Sequence, residues 1–82
     1  MADAAVDISA YKNALKSDDA TIRTALAADP ATPPEILCFL TEDPSVDVRR
    51  AVAGNPVTPN AANVALSRDT DVTVRCLLAR KL

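Results

Sequence analysis

The chain has 82 residues, 49% of them hydrophobic, and a formal net charge of −2 at pH 7. This length predicts one small domain that buries about 60–65% of the surface of its unfolded chain. The lack of histidine removes the commonest general base and metal ligand, and the slightly acidic balance makes nucleic-acid binding an unfavoured role. With a single Tyr and a single Phe, the chain does not suggest an aromatic-lined ligand pocket.

The chain begins with an acidic stretch, MADAAVDISAYKNALK, that contains no long apolar run. We therefore expect no signal peptide and no transmembrane helix, and place the protein in the cytoplasm. The spacing of apolar residues predicts two short helices here, Ile8–Lys16 and Ala20–Ala28, joined by a turn. Residues 8-28 are interpreted as a divergent N-terminal repeat unit.

Turn-forming residues divide the remaining chain into four more short helices. Thr32 and Thr58 each precede a proline, which predicts that their hydroxyls cap helices beginning at that proline. Gly54, the only glycine, is expected to end a helix in the left-handed conformation. The four helices are predicted over Pro33–Glu42, Val46–Ala53, Pro59–Arg68 and Val72–Lys81.

The sequence repeats itself with a fixed period of 26, which is the spacing of three similar dipeptides: Ile22-Arg23, Val48-Arg49 and Val74-Arg75. Apolar residues recur with the same spacing around these dipeptides, so the side chains of Ile22, Val48 and Val74 are expected to lie in one buried seam. Such a period is typical of a solenoid, in which each unit buries its apolar face against its neighbours. We expect one all-α repeat domain over residues 1-82, with repeats at 29-53 and 55-82.

The segments DPSVDVRRAVAGNPVTP and ATIRTALAADPATPPEIL resemble the leucine-rich repeat variant (LRV) family of bacterial proteins. The resemblance covers about residues 20–82 and implies a short right-handed α-solenoid of about three helical pairs, similar to HEAT arrays, with possible alternation of α- and 3₁₀-helices. It implies no enzymatic activity. One member of the family carries an iron–sulfur cluster in a separate cysteine cluster that this chain lacks, so no cofactor is expected.

Two cysteines, Cys38 and Cys76, lie in different repeats and lack metal-binding spacing. Both fall among apolar residues of predicted helices. We expect two reduced, buried thiols and no metal site.

Arg23, Arg49 and Arg75 recur at the period and are expected to form a column on one surface. They could bind acidic groups of a partner, because a guanidinium holds a carboxylate through two hydrogen bonds. Alternatively, they pair with aspartates or carbonyls across the contact between repeats. Arg50 does not recur and is the better candidate for a role specific to this protein.

The predicted C-terminal helix carries a second apolar stripe, formed by Val72, Cys76 and Ala79. We hypothesise that this stripe, with Leu82, is covered by a partner chain or by a second copy of the protein. The alternatives are simple exposure of small residues or a C-terminus that folds back.

No phosphate loop, nucleophile–base pair or pair of catalytic carboxylates is recognisable. The sequence therefore predicts a non-enzymatic protein–protein interaction module, or adaptor, whose partner it does not identify. One alternative is a purely structural spacer taken from a longer array. The other is a helical repeat that binds nucleic acid through one basic surface. That surface would need Arg23, Arg49, Arg50, Arg75, Arg80 and Lys81.

Overall fold

A computed structural model describes residues 11–81, which form helices and turns, with no strand in that range. None of these helices is long and apolar enough to cross a membrane. The six helices within that range are α1 (Lys12–Lys16), α2 (Ala20–Ala28), α3 (Pro34–Leu40), α4 (Val46–Gly54), α5 (Asn60–Leu66) and α6 (Val72–Ala79).

Two sets of contacts hold the helices together. The longer helices α2, α4 and α6 pack side by side, α2 against α4 and α4 against α6, and we call them the long row. The shorter helices α1, α3 and α5 each pack against the long helix that follows, and α3 also contacts α5. The long helices begin at Ala20, Val46 and Val72, at the period of the sequence repeat, and the predicted starts of all three are confirmed.

One continuous hydrophobic cluster joins α2 to α6. Its members are almost fully buried, and Leu37, Val48, Val52 and Val74 are each 0% exposed. Helices of five to nine residues are marginal in isolation. Because burial of one Val or Leu side chain contributes about 1.5–3 kcal/mol, this cluster supplies most of the stability of the helices.

The predicted seam is only partly buried. Val48 and Val74 are fully buried, but the equivalent Ile22 is 46% exposed, so its predicted burial is wrong. Val48 lies on α4, which packs against α2, and Val74 lies on α6, which packs against α4. Both valines belong to the hydrophobic cluster. The corresponding side of α2 meets no other long helix within residues 11–81.

The two threonines do not cap the helices that follow them. The Thr32 hydroxyl donates to the carbonyl oxygen of Leu26 at 2.6 Å, and the Thr58 hydroxyl donates to that of Val52 at 2.7 Å. Each threonine therefore satisfies a free carbonyl at the end of the preceding long helix. As a result, α3 and α5 each begin one residue later than predicted. Helix α3 begins at Pro34 rather than Pro33, and α5 begins at Asn60 rather than Pro59.

The predicted left-handed glycine is also wrong. Gly54 is the last residue of α4, and no glycine in the described part of the chain has a positive φ. The helix ends instead because Asn55 is extended, with φ −76° and ψ 121°, as expected for a residue that precedes proline. The six helices of the described range are all α-helices, whereas the resemblance implied alternation with 3₁₀-helices. In addition, α3, α5 and α6 each end two residues earlier than predicted.

Replacement of Gly54 by alanine is expected to stabilise the fold by about 0.5–1 kcal/mol, because alanine restricts the unfolded chain more than glycine does. A Cβ atom at this position would meet no atom within 4 Å, and the backbone conformation suits any residue. The free energy of unfolding in urea measures the change. A destabilised Gly54→Ala variant would show that the end of α4 is described incorrectly.

Candidate functional site

Two arginines of the long row each bind an aspartate that lies 20 residues further along the chain. Nε of Arg23 donates to Oδ2 of Asp43 at 2.8 Å, and Nε of Arg49 donates to Oδ2 of Asp69 at 2.7 Å. The two carboxylates are only 5% and 7% exposed. Each pair links one long helix to the turn before the next long helix, and we call this contact the arginine–aspartate joint.

Each of these arginines also binds the turn that precedes its own helix. Nη1 of Arg49 donates to the carbonyl oxygen of Asp43 at 2.7 Å, and Nη1 of Arg23 donates to that of Ser17. One guanidinium thus holds two successive turns together. The hydrogen bond with Asp43 raises the pKa of Arg23 further, against the opposing effect of its partial burial.

Arg75 occupies the same position on α6 but has only half of these contacts. Its Nη1 donates to the carbonyl oxygen of Asp69 at 2.6 Å, as the other two arginines do to their own turns. Its side chain is exposed, and no carboxylate within residues 11–81 forms an ion pair with it. The predicted column of arginines therefore contains two members bound to aspartates and one, Arg75, that has no carboxylate partner among the described residues.

Arg50 binds Asp71 through two parallel hydrogen bonds, from Nε and Nη2 to the two carboxylate oxygens, each 3.0 Å long. Oδ2 of Asp71 also accepts a bond from the backbone N–H of Val74 and thereby caps α6. The bond with Arg50, more than the bond with Val74, lowers the pKa of Asp71, and burial partly opposes this effect. Arg50 thus adds a second ion pair to the contact between α4 and α6.

The pKa of Asp71 predicts how the stability depends on pH. A carboxyl whose pKa is lower in the folded chain stabilises the fold above its ordinary value of 3.8, and this contribution is lost as the pH falls through the lowered value. We expect Asp71→Asn to be less stable than the unmodified chain at pH 7, with the difference shrinking below pH 3.8. Thermal unfolding across this range tests the expectation, with Glu42→Gln as the control because Glu42 is exposed and forms no ion pair within residues 11–81. A difference that is independent of pH would contradict it.

Asn55 makes a further contact between long helices that the sequence analysis did not predict. Its side chain is 2% exposed, and Nδ2 donates to the carbonyl oxygens of Ala27 at 2.9 Å and Asp29 at 3.1 Å. Lys81, which lies one period later, extends its Nζ to the carbonyl oxygen of Asn55 at 2.8 Å. Two different side chains therefore make the same bond between neighbouring units. Burial lowers the pKa of Lys81.

The predicted stripe on α6 is exposed. Val72 is 60% exposed, Cys76 and Ala79 are also exposed, and the prediction that Cys76 is buried is therefore wrong. Cys38 is partly buried, and both thiols are free. Leu82, the other member of the predicted surface, lies outside the described residues. With Arg75, the exposed residues form a surface that we call the α6 stripe: Val72, Arg75, Cys76 and Ala79.

The residues that correspond to the end of the α6 stripe are covered on the other long helices. Ala27 on α2 and Ala53 on α4 occupy the position of Ala79, and both are 0% exposed. They are covered because α2 packs against α4 and α4 packs against α6. The positions of Val72, Arg75 and Cys76 are half-buried on α2 and α4. The α6 stripe is therefore the exposed counterpart of a face that is partly or fully covered on the other two long helices.

A groove of about 270 Å³ lies beside this surface, between α5 and α6. Val64 and Leu78 supply its apolar wall, and the one charged side chain in it, Lys81, already binds Asn55 and Asn63. Within residues 11–81 no group of three acidic or cysteine side chains is placed to hold a metal ion. The groove thus offers apolar contact area and no recognisable catalytic group.

No family model, no curated protein and no solved structure matches this chain. The functional interpretation consequently depends on the contacts within the molecule and on the resemblance of its repeats.

Proposed function

We propose that this chain is a non-enzymatic protein-interaction module, built as a short right-handed solenoid of three helix-pair units of the LRV type. The observation that carries the proposal is the recurrence of whole contacts at the period of the sequence. The arginine–aspartate joint occurs twice, as does the threonine bond to the preceding helix. Arrays of such units present extended surfaces to partners.

The interaction role is supported by the surface of α6. The positions of the α6 stripe are half-buried or buried on α2 and α4, each of which packs against a following long helix, whereas on α6 they are exposed. Its edge carries the Arg75 guanidinium, which can hold a carboxylate through two bonds. We therefore propose a protein partner that contacts α6 with a helix.

The alternative of nucleic-acid binding has no specific observation in its favour. Of the six cations that it would need, Arg23, Arg49 and Arg50 each bind a carboxylate of this chain. Neutralised side chains contribute little to phosphate binding. We do not propose this role.

Affinity capture tests the proposed function. The tagged chain is used as bait in a lysate of the source organism, and bound proteins are quantified by mass spectrometry. The stripe variant Ala79→Glu places a charge on the proposed surface, and Thr73→Glu places the same charge on an exposed position of α6 outside the stripe.

We expect the unmodified chain and Thr73→Glu to retain the same partner, and Ala79→Glu to lose it. Circular dichroism establishes that both variants are folded. The proposal would be refuted if no protein were enriched, or if all three baits retained the same proteins.

A further inference from the structure

Two exposed faces of this chain are the two halves of a contact that the chain makes twice internally. The first is the α6 stripe, whose equivalents are half-buried or buried on α2, which packs against α4, and on α4, which packs against α6. The second is the opposite side of α2, where Ile22 is 46% exposed and Ala25 is exposed. The equivalents of Ile22 on α4 and α6, Val48 and Val74, are fully buried in the hydrophobic cluster.

The turn before α2 has the same geometry as the turns that receive arginines. Oγ of Ser17 accepts a bond from the backbone N–H of Asp19 at 3.1 Å, just as Oδ1 of Asp43 accepts one from that of Ser45 at 2.9 Å. Ser17 thus takes the place of the arginine-binding aspartate. Asp18 beside it is exposed and offers a carboxylate at the same edge.

The charges of the two faces are complementary. The α6 stripe presents Arg75, with Arg80 exposed at the end of the helix. The face of α2 begins at a turn that presents Asp18 and Asp19, both exposed. A helix seated on the α6 stripe in the manner of the internal joints would place its preceding turn at Arg75, where a carboxylate completes the ion pair.

We propose that the occupant of the α6 stripe is a second copy of this chain, which docks its α2 there, head to tail. This inference rests on the proposed function and names its partner. In the complex the Ser17–Asp19 turn of one copy receives Arg75 of its neighbour, and Ile22 is buried in the position that Val48 and Val74 occupy internally. The contact joins two different faces, so each copy can bind one neighbour on either side and association continues beyond the dimer.

Sedimentation velocity of the full chain from micromolar to millimolar concentration tests the proposal. We expect the weight-average sedimentation coefficient to rise continuously with concentration, and to rise less at high salt because the contact includes ion pairs. Arg75→Glu and Asp18→Lys each place like charges together and are each expected to weaken association about tenfold or more. Asp19 is left unchanged because it caps α2.

A mixture of the two variants provides the decisive comparison. The glutamate introduced by one variant then meets the lysine introduced by the other, and we expect an equimolar mixture to regain the association that each variant alone has lost. Arg68→Glu makes the same charge change at an exposed residue outside the α6 stripe and is the matched control. It is expected to associate like the unmodified chain.

Three results would each overturn the proposal: a chain that stays monomeric at all concentrations, association that Arg75→Glu leaves intact, or a mixture that does not recover. None of them decides the proposed function. If Ala79→Glu still abolished capture of a different protein, the interaction role would stand and the second copy would be rejected.

Discussion

Replacement of Leu37 by asparagine is expected to lower the free energy of unfolding by about 3–8 kcal/mol. Leu37 is fully buried in the hydrophobic cluster between the helices. Truncation of a buried leucine costs about 2–5 kcal/mol, and an amide without partners in the same place adds about 1–3 kcal/mol. At about 0.05–0.15 kcal/mol per residue, a chain of this length has a total stability of about 4–12 kcal/mol. The expected loss is therefore a large fraction of the total stability.

Circular dichroism in urea measures this loss, and the chain itself supplies the matched control. Asn63 lies one period after Leu37, is only half-buried, and holds Nζ of Lys81 at 3.2 Å. The reverse replacement, Asn63→Leu, is expected to change the free energy of unfolding by less than about 1 kcal/mol. If Leu37→Asn were as stable as Asn63→Leu, the packing of α3 against α5 would not be as described.

Removal of the Asn55 side chain is expected to lower the free energy of unfolding by about 2–3 kcal/mol, because several buried backbone groups lose their hydrogen-bond partner at once. In Asn55→Ala the carbonyl oxygens of Ala27 and Asp29 lose a buried donor, and the backbone N–H of Val57 loses its acceptor at 3.1 Å. Since the site is 2% exposed, water cannot readily replace these bonds. The contact between α2 and α4 is therefore weakened at a point that the hydrophobic cluster does not cover.

Urea denaturation of Asn55→Ala tests this expectation beside Asp29→Ala, the substitution one period earlier in the chain. Asp29 is exposed, and its side chain bonds only to the backbone N–H of Ala31 at 2.8 Å. We expect Asp29→Ala to cost less than about 1 kcal/mol. Equal losses in the two variants would mean that Asn55 acts only within its own turn, and not between helices.

The positions of the helices could be predicted from local signals. Proline excludes helix from the residue before it, and the apolar spacing of each segment matches a helical face, so five segments are located within two residues at each end. The predicted helix Ile8–Lys16 is only partly within the described residues, where α1 covers its last five positions. Local signals are sufficient to locate these short helices because the turn residues before and after each helix determine where it begins and ends.

The partners of polar side chains could not be predicted in the same way. Thr58 followed by proline has the sequence of an N-cap, but its hydroxyl donates backwards to α4, where the free carbonyls at the helix end compete for it. Asn55 before proline indicates a turn residue, yet its amide also reaches the end of α2, one repeat unit earlier in the chain. Such choices depend on the packing of distant segments.

The same limit applies to the candidate site. The period predicts that Arg23, Arg49 and Arg75 are equivalent, and all three do bind the turn before their own helix. Only the packing of the next long helix supplies a carboxylate, and this distinguishes Arg75 from the other two. A repeat in the sequence thus locates the column of arginines but does not show which of its members is available to a partner.

Duplication of one unit tests most directly the central claim that successive units are joined by one repeated contact. A second copy of the segment Val46–Asp71 inserted after Asp71 preserves the spacing between each arginine and its aspartate. We expect a folded chain with a higher midpoint of thermal unfolding, since each added unit contributes its own interface. Small-angle X-ray scattering should show a maximum dimension larger by about 8–10 Å, the distance between packed helices. A chain that unfolds, or that leaves the inserted unit unstructured beside an unchanged domain, would contradict it.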